Sequence, residues 1–228
     1  MKNLVVLTGA GISAESGIST FRDTGGLWEQ YSIEDVATPE GWAKNKALVT
    51  DFYNQRRKQL LEVKPNYGHI GLVELEKRFN VSIITQNVDN LHERAGSSSV
   101  LHLHGELVKV RSEADENLVY ELTPEKYEVH IGDLCEKGYQ LRPHIVWFGE
   151  AVPMMDKAIE ITEKADILVI IGTSLNVYPA AGLVNYIRVD VPVYLIDPNN
   201  VVVNRRNVHV IKKGASEGVK QLINNFEF

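Results

Sequence analysis

Six short apolar runs, each followed by glycine or polar residues, constrain the fold of this chain more than any other feature. Runs of this length between turn residues are typical of buried strands. Helical patterns at residues 155–164 and 215–225 separate several of the runs. Strands that alternate with helices favour an α/β fold with a Rossmann-like, doubly wound and mostly parallel sheet. The runs are residues 4–8, 81–85, 145–148, 167–171, 193–196 and 208–211.

Two stretches interrupt this alternation. Residues 31–78 have a helical pattern, and residues 106–143 are polar. We therefore predict a single domain over residues 1–228, in which a helical insertion and a small module cap one end of the sheet. The predicted Rossmann-like core consists of residues 1–30, 79–105 and 144–228.

Composition excludes several classes of protein. The net charge of −6 argues against a nucleic-acid surface, which needs a basic patch, but is compatible with lysine-rich partners. The single cysteine, Cys135, cannot form an internal disulfide and favours a reducing compartment. The apolar run at residues 4–7 is too short for a secretory signal, and no stretch is long enough to cross a bilayer. We expect a cytoplasmic protein without a membrane partner; the sequence leaves its oligomeric state open.

The first strand runs directly into a glycine-rich loop, Gly9-Ala10-Gly11, which continues to Ala14 as G-x-G-x-x-A. Without a Cβ atom, such glycines allow a tight turn and close approach of a diphosphate to backbone N–H groups. The alternative is that the glycines serve only the turn. A dehydrogenase would carry an acidic residue after a second strand about 20 residues on, and no strand pattern occurs there. Hydride transfer is therefore disfavoured.

The glycine loop opens a longer block, GAGISAESGISTFRD, that resembles the cofactor loop of the sirtuin family. Further blocks that resemble this family follow in the same order and span nearly the whole chain. They are TQNVDNLH at 85–92, HGE at 104–106, VWFGE at 146–150, GTS at 172–174 and GASEGV at 214–219.

The resemblance implies an NAD-dependent removal of acyl groups from protein lysines. The acyl oxygen attacks the nicotinamide ribose, nicotinamide leaves, and the acyl group passes to the ribose. The products are free lysine and O-acyl-ADP-ribose. His104 is the candidate general base, because an imidazole titrates near neutral pH. An isolated histidine would ordinarily be structural, but the following Gly105 and the matching blocks favour the base.

The resemblance also implies the groups that bind NAD. We assign Asp89 to the carboxamide, and Asn87, also a candidate catalytic residue, to ribose or an ordered water. The alternative for both is turn formation or helix capping. Phe21 would shield the reacting carbon, and Asp197 departs from the asparagine common in the family. The predicted cofactor residues are Gly9, Ala10, Gly11, Ser13, Phe21, Arg22, Trp28, Gln86, Asn87, Asp89, Gly172, Thr173, Ser174, Asp197 and Ala215.

Two regions are predicted to bind the acyl-lysine protein or peptide. The loop with Val146, Phe148, Gly149 and Glu150 would add the peptide as a strand through main-chain hydrogen bonds. Tyr53 and Arg56 lie three residues apart on a predicted helix, so they share one face and together could grip a carboxylate. This Y-x-x-R resembles that of class III sirtuins, which remove succinyl, malonyl or glutaryl groups. The alternative is a solvated basic helix.

Sirtuins usually hold a structural zinc between two C-x-x-C pairs. Here Ser112 and Asp115 stand at the positions of the first cysteine pair, and Cys135 is the only cysteine near the positions of the second pair. We predict no metal site. The module would then depend on apolar packing, for which the candidates are Leu118, Tyr120, Leu122, Tyr127 and Leu134.

Two other functions use the same cofactor site. An NAD hydrolase or ADP-ribosyl transferase would need no acyl-lysine, so the Tyr53/Arg56 pair argues against it. A non-catalytic NAD sensor would need no base, so His104 argues against that.

Overall fold

The protein is described by a computed structural model for residues 1–18 and 31–226. Its main element is a six-stranded parallel sheet in the order β3-β2-β1-β7-β8-β9. The strands are β1 (Lys2–Thr8), β2 (Phe79–Thr85), β3 (Val100–His102), β7 (Ile167–Ile171), β8 (Val193–Ile196) and β9 (Val208–Ile211). The predicted α/β fold class is confirmed.

Alternating side chains of the sheet feed two separate cores. Leu4 and Val6 point to the face covered by α5 (Tyr67–Leu75) and α8 (Ala215–Asn225). Val5 and Leu7 point to the other face, covered by α7 (Met155–Glu163) and a 3-10 helix (Ala180–Asn185). Both faces of the central strand are buried, which explains its continuous apolar run.

Most of the remaining helices lie between β1 and β2 in the chain, and one short helix follows β2. The predicted helical insertion contains α2 (Ile33–Val36), α3 (Pro39–Lys44) and α4 (Lys46–Glu62) in addition to α5. Asn45 caps α4 by accepting a hydrogen bond from Leu48 N. Two short helices stand at the site described below: α1 (Gly11–Ala14) and α6 (Leu91–Ala95). In the described part of the chain, no helix has the length and apolarity that crossing a membrane requires.

A second, antiparallel sheet of three strands has the order β5-β4-β6. Its strands are β4 (Gly105–Ser112), β5 (Val119–Glu121) and β6 (Leu141–Ile145). The prediction of a strand of the main sheet at 145–148 is therefore wrong. β6 ends at Ile145 and, among the described residues, pairs with β4 alone, and such an edge position tolerates Pro143 within the strand.

The apolar packing predicted for the small module is also wrong. Leu134 is 54% exposed, and the other four candidates are only half-buried. Other apolar residues of the module, Leu107, Val110 and Val129, are buried instead. The Gln140 amide nitrogen shares its two hydrogens among the carbonyls of His130, Asp133 and Leu141, and its oxygen accepts from Gly132 N. Polar side chains thus add to a small apolar core.

Candidate active site

The carboxyl ends of β1, β2 and β7 meet at one edge of the main sheet. Gly11 N donates to Gly172 O at 2.8 Å, which ties the loop after β1 to the loop after β7. A Cβ atom on Gly9 would lie 2.7 Å from Gly172 O, and one on Gly11 would lie 2.6 Å from Gly172 Cα. The contact between these loops therefore requires both glycines. Ala10 is the residue before α1.

A buried polar network lies under this edge. Ser13 Oγ donates to Asp89 Oδ2 at 3.0 Å and accepts from Asn87 Nδ2 at 3.1 Å. Asn87 Nδ2 also donates to Gly9 O. Burial raises the pKa of the Asp89 carboxyl, while hydrogen bonds from Leu91 N and Ser13 oppose that rise. The bond from Leu91 N to Asp89 Oδ1 spans two residues and forms a turn just before α6, so Asp89 takes part in both this turn and the network.

His104 stands beside the network at the start of the small sheet. Its Nδ1 donates to Gln86 O at 3.0 Å, because a carbonyl oxygen only accepts. This fixes the proton on Nδ1 and leaves Nε2 as an acceptor with no hydrogen-bond partner within residues 1–18 and 31–226. Burial lowers the pKa of His104, and the bond to Gln86 only partly offsets this. The imidazole is thus neutral near pH 7, as a base must be.

The glycine after His104 has a structural cause. Gly105 has a φ of +79°, and a Cβ atom there would lie 2.0 Å from His144 O.

His102 differs in role from His104, because both its ring nitrogens form hydrogen bonds, Nδ1 with Asn87 O and Nε2 with Glu93. Burial acts to lower the pKa of His102, but the bond and charge of Glu93 outweigh it and raise that pKa. Of the two histidines, only His104 keeps a ring nitrogen available.

The rest of the predicted cofactor set is distributed around the same edge. Gln86 Nε2 donates to Thr173 Oγ1 at 3.0 Å, which joins the loops after β2 and β7 beside Ser174. Asp197 follows β8, is buried, and accepts from Asn199 N at 2.8 Å. Ala215 begins α8 and packs in the same core cluster as Ile12 of α1. Phe21, Arg22 and Trp28 lie outside the described residues.

Two buried histidines that the sequence analysis did not single out extend the network inward. His69 Nδ1 accepts from Asn66 N, and its Nε2 lies 3.5 Å from Ser13 Oγ. Burial lowers the pKa of His69 to about 4. His92 Nε2 lies 3.1 Å from Thr8 Oγ1, and the two imidazole rings meet edge to face. The position of His69 at the first turn of α5, behind an asparagine cap, was the one local signal for it.

The predicted acyl clamp lies on α4. Tyr53 is 1% exposed, and its hydroxyl accepts from Trp147 Nε1 at 2.9 Å. The Arg56 guanidinium carbon lies 5.8 Å from the ring centroids of Phe52 and Tyr53. Burial lowers the pKa of Arg56, opposed by the charges of Tyr53 and Asp89, which relates the clamp to the cofactor network.

The alternative of a solvated basic helix does not describe this face of α4. Arg57 is 2% exposed; its Nε donates to Leu107 O and its Nη1 to Asn54 Oδ1. Its Nη2 is buried without a hydrogen-bond partner in the described ranges. Arg57 is thus an interior cation beside Tyr53, a role that the sequence gave no reason to expect.

The predicted peptide loop after β6 is rigidly built. Glu150 accepts from both terminal nitrogens of Arg142, at 2.8 and 3.1 Å, and from Trp147 N at 2.8 Å. The carboxylate of Glu150 therefore shapes the loop from inside. Phe148 is 46% exposed, Val146 is half-buried, and Gly149 has a φ of +90°. Arg142 and Trp147 are site residues that the sequence analysis missed.

The places of the zinc cysteines hold hydrogen-bonding groups. Cys135 Sγ donates to Ser112 Oγ at 3.4 Å, and Ser112 Oγ also accepts from the backbone of Ala114 and Asp115. Asp115 forms an ion pair with Lys137 at 2.7 Å. Across residues 1–18 and 31–226, no three histidine, cysteine or acidic side chains cluster as metal ligands would.

Comparison with known proteins identifies the family. The sequence pattern of the Sir2 family matches residues 9–179. A Bacteroides thetaiotaomicron protein named NAD-dependent protein deacylase is 66% identical over 226 residues, which is 97% of each chain. A Helicobacter pylori protein of the same name is 57% identical over 224 residues, 98% of this chain and 96% of that one.

Solved structures agree with this assignment. The crystal structure of a Sir2 homologue with NAD is 38% identical, has a TM-score of 0.87, and covers 98% of this chain and 89% of that chain. A Sir2 complex with a deacetylated p53 peptide and 3′-O-acetyl-ADP-ribose is 28% identical, with a TM-score of 0.79 over 97% of this chain and 92% of that one. The resemblance noted in the sequence blocks is thus confirmed: this chain belongs to the Sir2 family.

Proposed function

We propose that this chain is an NAD-dependent protein-lysine deacylase that accepts acidic acyl groups. The observation that carries the proposal is His104, whose Nδ1–H is fixed by Gln86 O while its Nε2 is available. The names and ligands of the relatives, NAD among them, support the same activity. The single thiol suits a reducing compartment, so we place the protein in the cytoplasm.

The residues at the sheet edge fit a dinucleotide. Asp89 is a buried carboxylate near the guanidinium of Arg56, and Asn87 and Ser13 are buried with their polar atoms in one network. When bound, NAD supplies a glycosidic bond whose cleavage releases nicotinamide and a ribose hydroxyl that takes the acyl group. Asp89 would orient the carboxamide and Asn87 the ribose.

His104 would then move one proton. Its neutral Nε2 takes the proton of the ribose hydroxyl, which makes that oxygen a nucleophile toward the acyl carbon. The Nδ1–H bond to Gln86 O keeps the ring in one tautomer and stabilises the imidazolium that forms. Burial lowers the pKa of His104, which favours the unprotonated form of the base.

The acyl preference follows from charge near Tyr53. The guanidinium groups of Arg56, Arg57 and Arg142 all act on the Tyr53 phenol. Such a concentration of positive charge stabilises an anionic acyl end and gives nothing to a methyl group. We therefore propose that succinyl and malonyl lysines are substrates, with acetyl-lysine the weaker one.

Nicotinamide release with and without acyl peptide distinguishes the candidate activities. A deacylase releases nicotinamide only when acyl peptide is present, and the acyl group appears on ADP-ribose by mass spectrometry. Equal release without peptide would indicate an NAD hydrolase, and no release under either condition would indicate a sensor. Either result would contradict the proposal.

The Arg56→Met variant tests the acyl preference. We expect kcat/KM for a succinyl peptide to fall by about 100-fold, since a charge-assisted hydrogen bond is lost, and to fall far less for the matching acetyl peptide. Lys58→Met removes an exposed charge from the same helix and serves as the matched control. An equal loss on both peptides would contradict the carboxylate clamp.

A further inference from the structure

A direct hydrogen bond joins the peptide loop to the acyl clamp. Trp147 Nε1 donates to the Tyr53 hydroxyl at 2.9 Å, and the two side chains are 2% and 1% exposed. We propose that Trp147, held in place by Arg142 and Glu150, is a positioning residue for acyl specificity that keeps the Tyr53 hydroxyl aimed as a donor at the acyl carboxylate. The inference rests on the proposed function, whose clamp it deepens.

The direction of this bond is chemically fixed. An indole N–H only donates, so the Tyr53 oxygen must accept and one of its lone pairs is occupied. The phenol hydrogen then points away from Trp147, and no acceptor for it occurs among residues 1–18 and 31–226. A buried donor without an acceptor is costly, which favours a ligand that brings an acceptor oxygen.

Trp147 is itself held from several sides. The Arg142 guanidinium carbon lies 3.4 Å from the centroid of its ring, and Trp42 packs against it at 5.8 Å. Arg142 also donates to Ile145 O, while both its terminal nitrogens bind Glu150. Glu150 in turn accepts from the Trp147 backbone. With its plane fixed in this way, the indole has little freedom to release the phenol.

Burial keeps the Tyr53 phenol a donor, while the positive charges around it favour a bound anion. Burial raises the pKa of Tyr53, and the charges of Arg56, Arg142 and Arg57, with the bond from Trp147, only partly oppose this. The hydroxyl is therefore protonated at any working pH. Arg142 stacks on Trp147 and its charge acts on Tyr53, so the loop that receives the peptide also prepares the clamp for the acyl end.

Replacing the indole with a ring of similar shape isolates the hydrogen bond. We measure kcat/KM for succinyl and acetyl forms of one peptide and compare their ratio. In Trp147→Phe this ratio should fall about tenfold, the effect of one misdirected buried hydrogen bond, with KM for the succinyl peptide carrying most of the change. Tyr67→Phe is the control, because it also removes one hydrogen bond of a ring side chain, from the Tyr67 hydroxyl to Glu74, outside the clamp. It should leave the ratio unchanged.

A double mutant separates positioning from general packing. Tyr53→Phe should lower the ratio on its own, and Trp147→Phe should lower it no further in that background. Equal losses on both peptides in Trp147→Phe, or additive losses in the double mutant, would overturn the inference. Melting temperature and ADP-ribose binding check the fold of each variant.

If Trp147→Phe does not fold, Arg142→Lys gives the same reading, since lysine keeps the charge but loses the flat stack and the paired bonds to Glu150. Its ratio should fall as well, and an unchanged ratio would overturn the inference. The Arg56→Met measurement distinguishes the two levels of failure. If Arg56→Met lowers the ratio and neither Trp147→Phe nor Arg142→Lys does, only the positioning role of Trp147 is wrong; if Arg56→Met leaves it unchanged, the acidic preference and this inference are both wrong.

Discussion

The six-stranded parallel sheet buries apolar side chains on both faces, whereas the three-stranded antiparallel sheet buries only a few, such as Leu107, Val110 and Ile145, and adds hydrogen bonds between polar groups. In the first, Leu4, Val6 and Val169 are completely buried. In the second, Gln140 makes four hydrogen bonds, and Ser112 and Cys135 bond to each other in the places where the family carries zinc thiolates. Directional bonds between side chains can thus occupy positions at which the family carries metal ligands.

The two sheets also differ in how close their polar groups lie to the candidate active site. The network of Ser13, Asn87 and Asp89 is buried beneath the carboxyl ends of the parallel strands. In the small module, Asp115 is half-buried and Lys137 exposed, so their ion pair contributes little to stability. Changes at the parallel sheet should therefore affect catalysis and pH response strongly, and changes in the module should affect local stability modestly.

The largest effect is expected for His104→Ala. Loss of the base should lower deacylation by about 100-fold to 10,000-fold, while NAD binding measured by calorimetry stays within a few-fold. His130→Ala removes an exposed histidine of the module and should leave the rate unchanged. Turnover that survives in His104→Ala would show that another group takes the proton.

The second-largest effect concerns the pH dependence of the free energy of unfolding. Burial lowers the pKa of His69 from 6.5 to about 4, so between these values the unfolded chain binds a proton that the folded chain does not. The stabilisation is fully present above about pH 6.5 and decreases as pH falls toward 4, by about 3 kcal/mol at most. Urea unfolding across this range measures it.

The variant His69→Gln should flatten that pH dependence, whatever its stability at pH 7. His130→Gln, in the module, should keep the wild-type slope. If the slope between pH 4 and 6.5 were the same in all three proteins, His69 would not be its source.

A smaller effect is expected for Gln140→Ala. Loss of its hydrogen bonds should lower the free energy of unfolding by about 1–3 kcal/mol. Hydrogen exchange should accelerate at Gly132 and Leu141, while amides of β1 keep their protection. Glu125→Ala, at an exposed site in the module, is the control. Unchanged exchange at Gly132 would show that Gln140 does not hold the module.

The smallest effect is expected for metal removal. A chelator such as EDTA should leave the melting temperature and the activity within experimental error, because Ser112 and Cys135 bond to each other directly. A relative of this family with four zinc cysteines is the positive control. A fall of several degrees in the melting temperature would show that a metal stabilises the module after all.

Much of the main sheet could be predicted because its central strands are buried on both faces. The runs at 167–171 and 193–196 end where the buried strands end, and the run at 208–211 matches β9, although two residues of that edge strand are exposed. β3 and β6 could not be predicted in this way. Both are edge strands of mixed polarity, and β6 contains Pro143, which reads as a break in a sequence.

The residues of the candidate site also fall into those that a local sequence pattern predicts and those that it does not. Ser13, Asn87, Asp89 and His104 belong to blocks that resemble the family, and the structure places the first three in one network with His104 beside it. The hydrogen bond from Trp147 to Tyr53 joins positions 94 residues apart, and no local sequence pattern predicts it. The partners that orient a reacting group are long-range contacts, and a single sequence carries little sign of them.

The carbonyl that fixes the proton of His104 belongs to the backbone of Gln86. Any amino acid at position 86 would offer the same oxygen, so side-chain drift there cannot switch the imidazole to its other tautomer. A substitution at position 86 would therefore break the bond from the Gln86 side chain to Thr173 but keep the backbone oxygen that orients the imidazole.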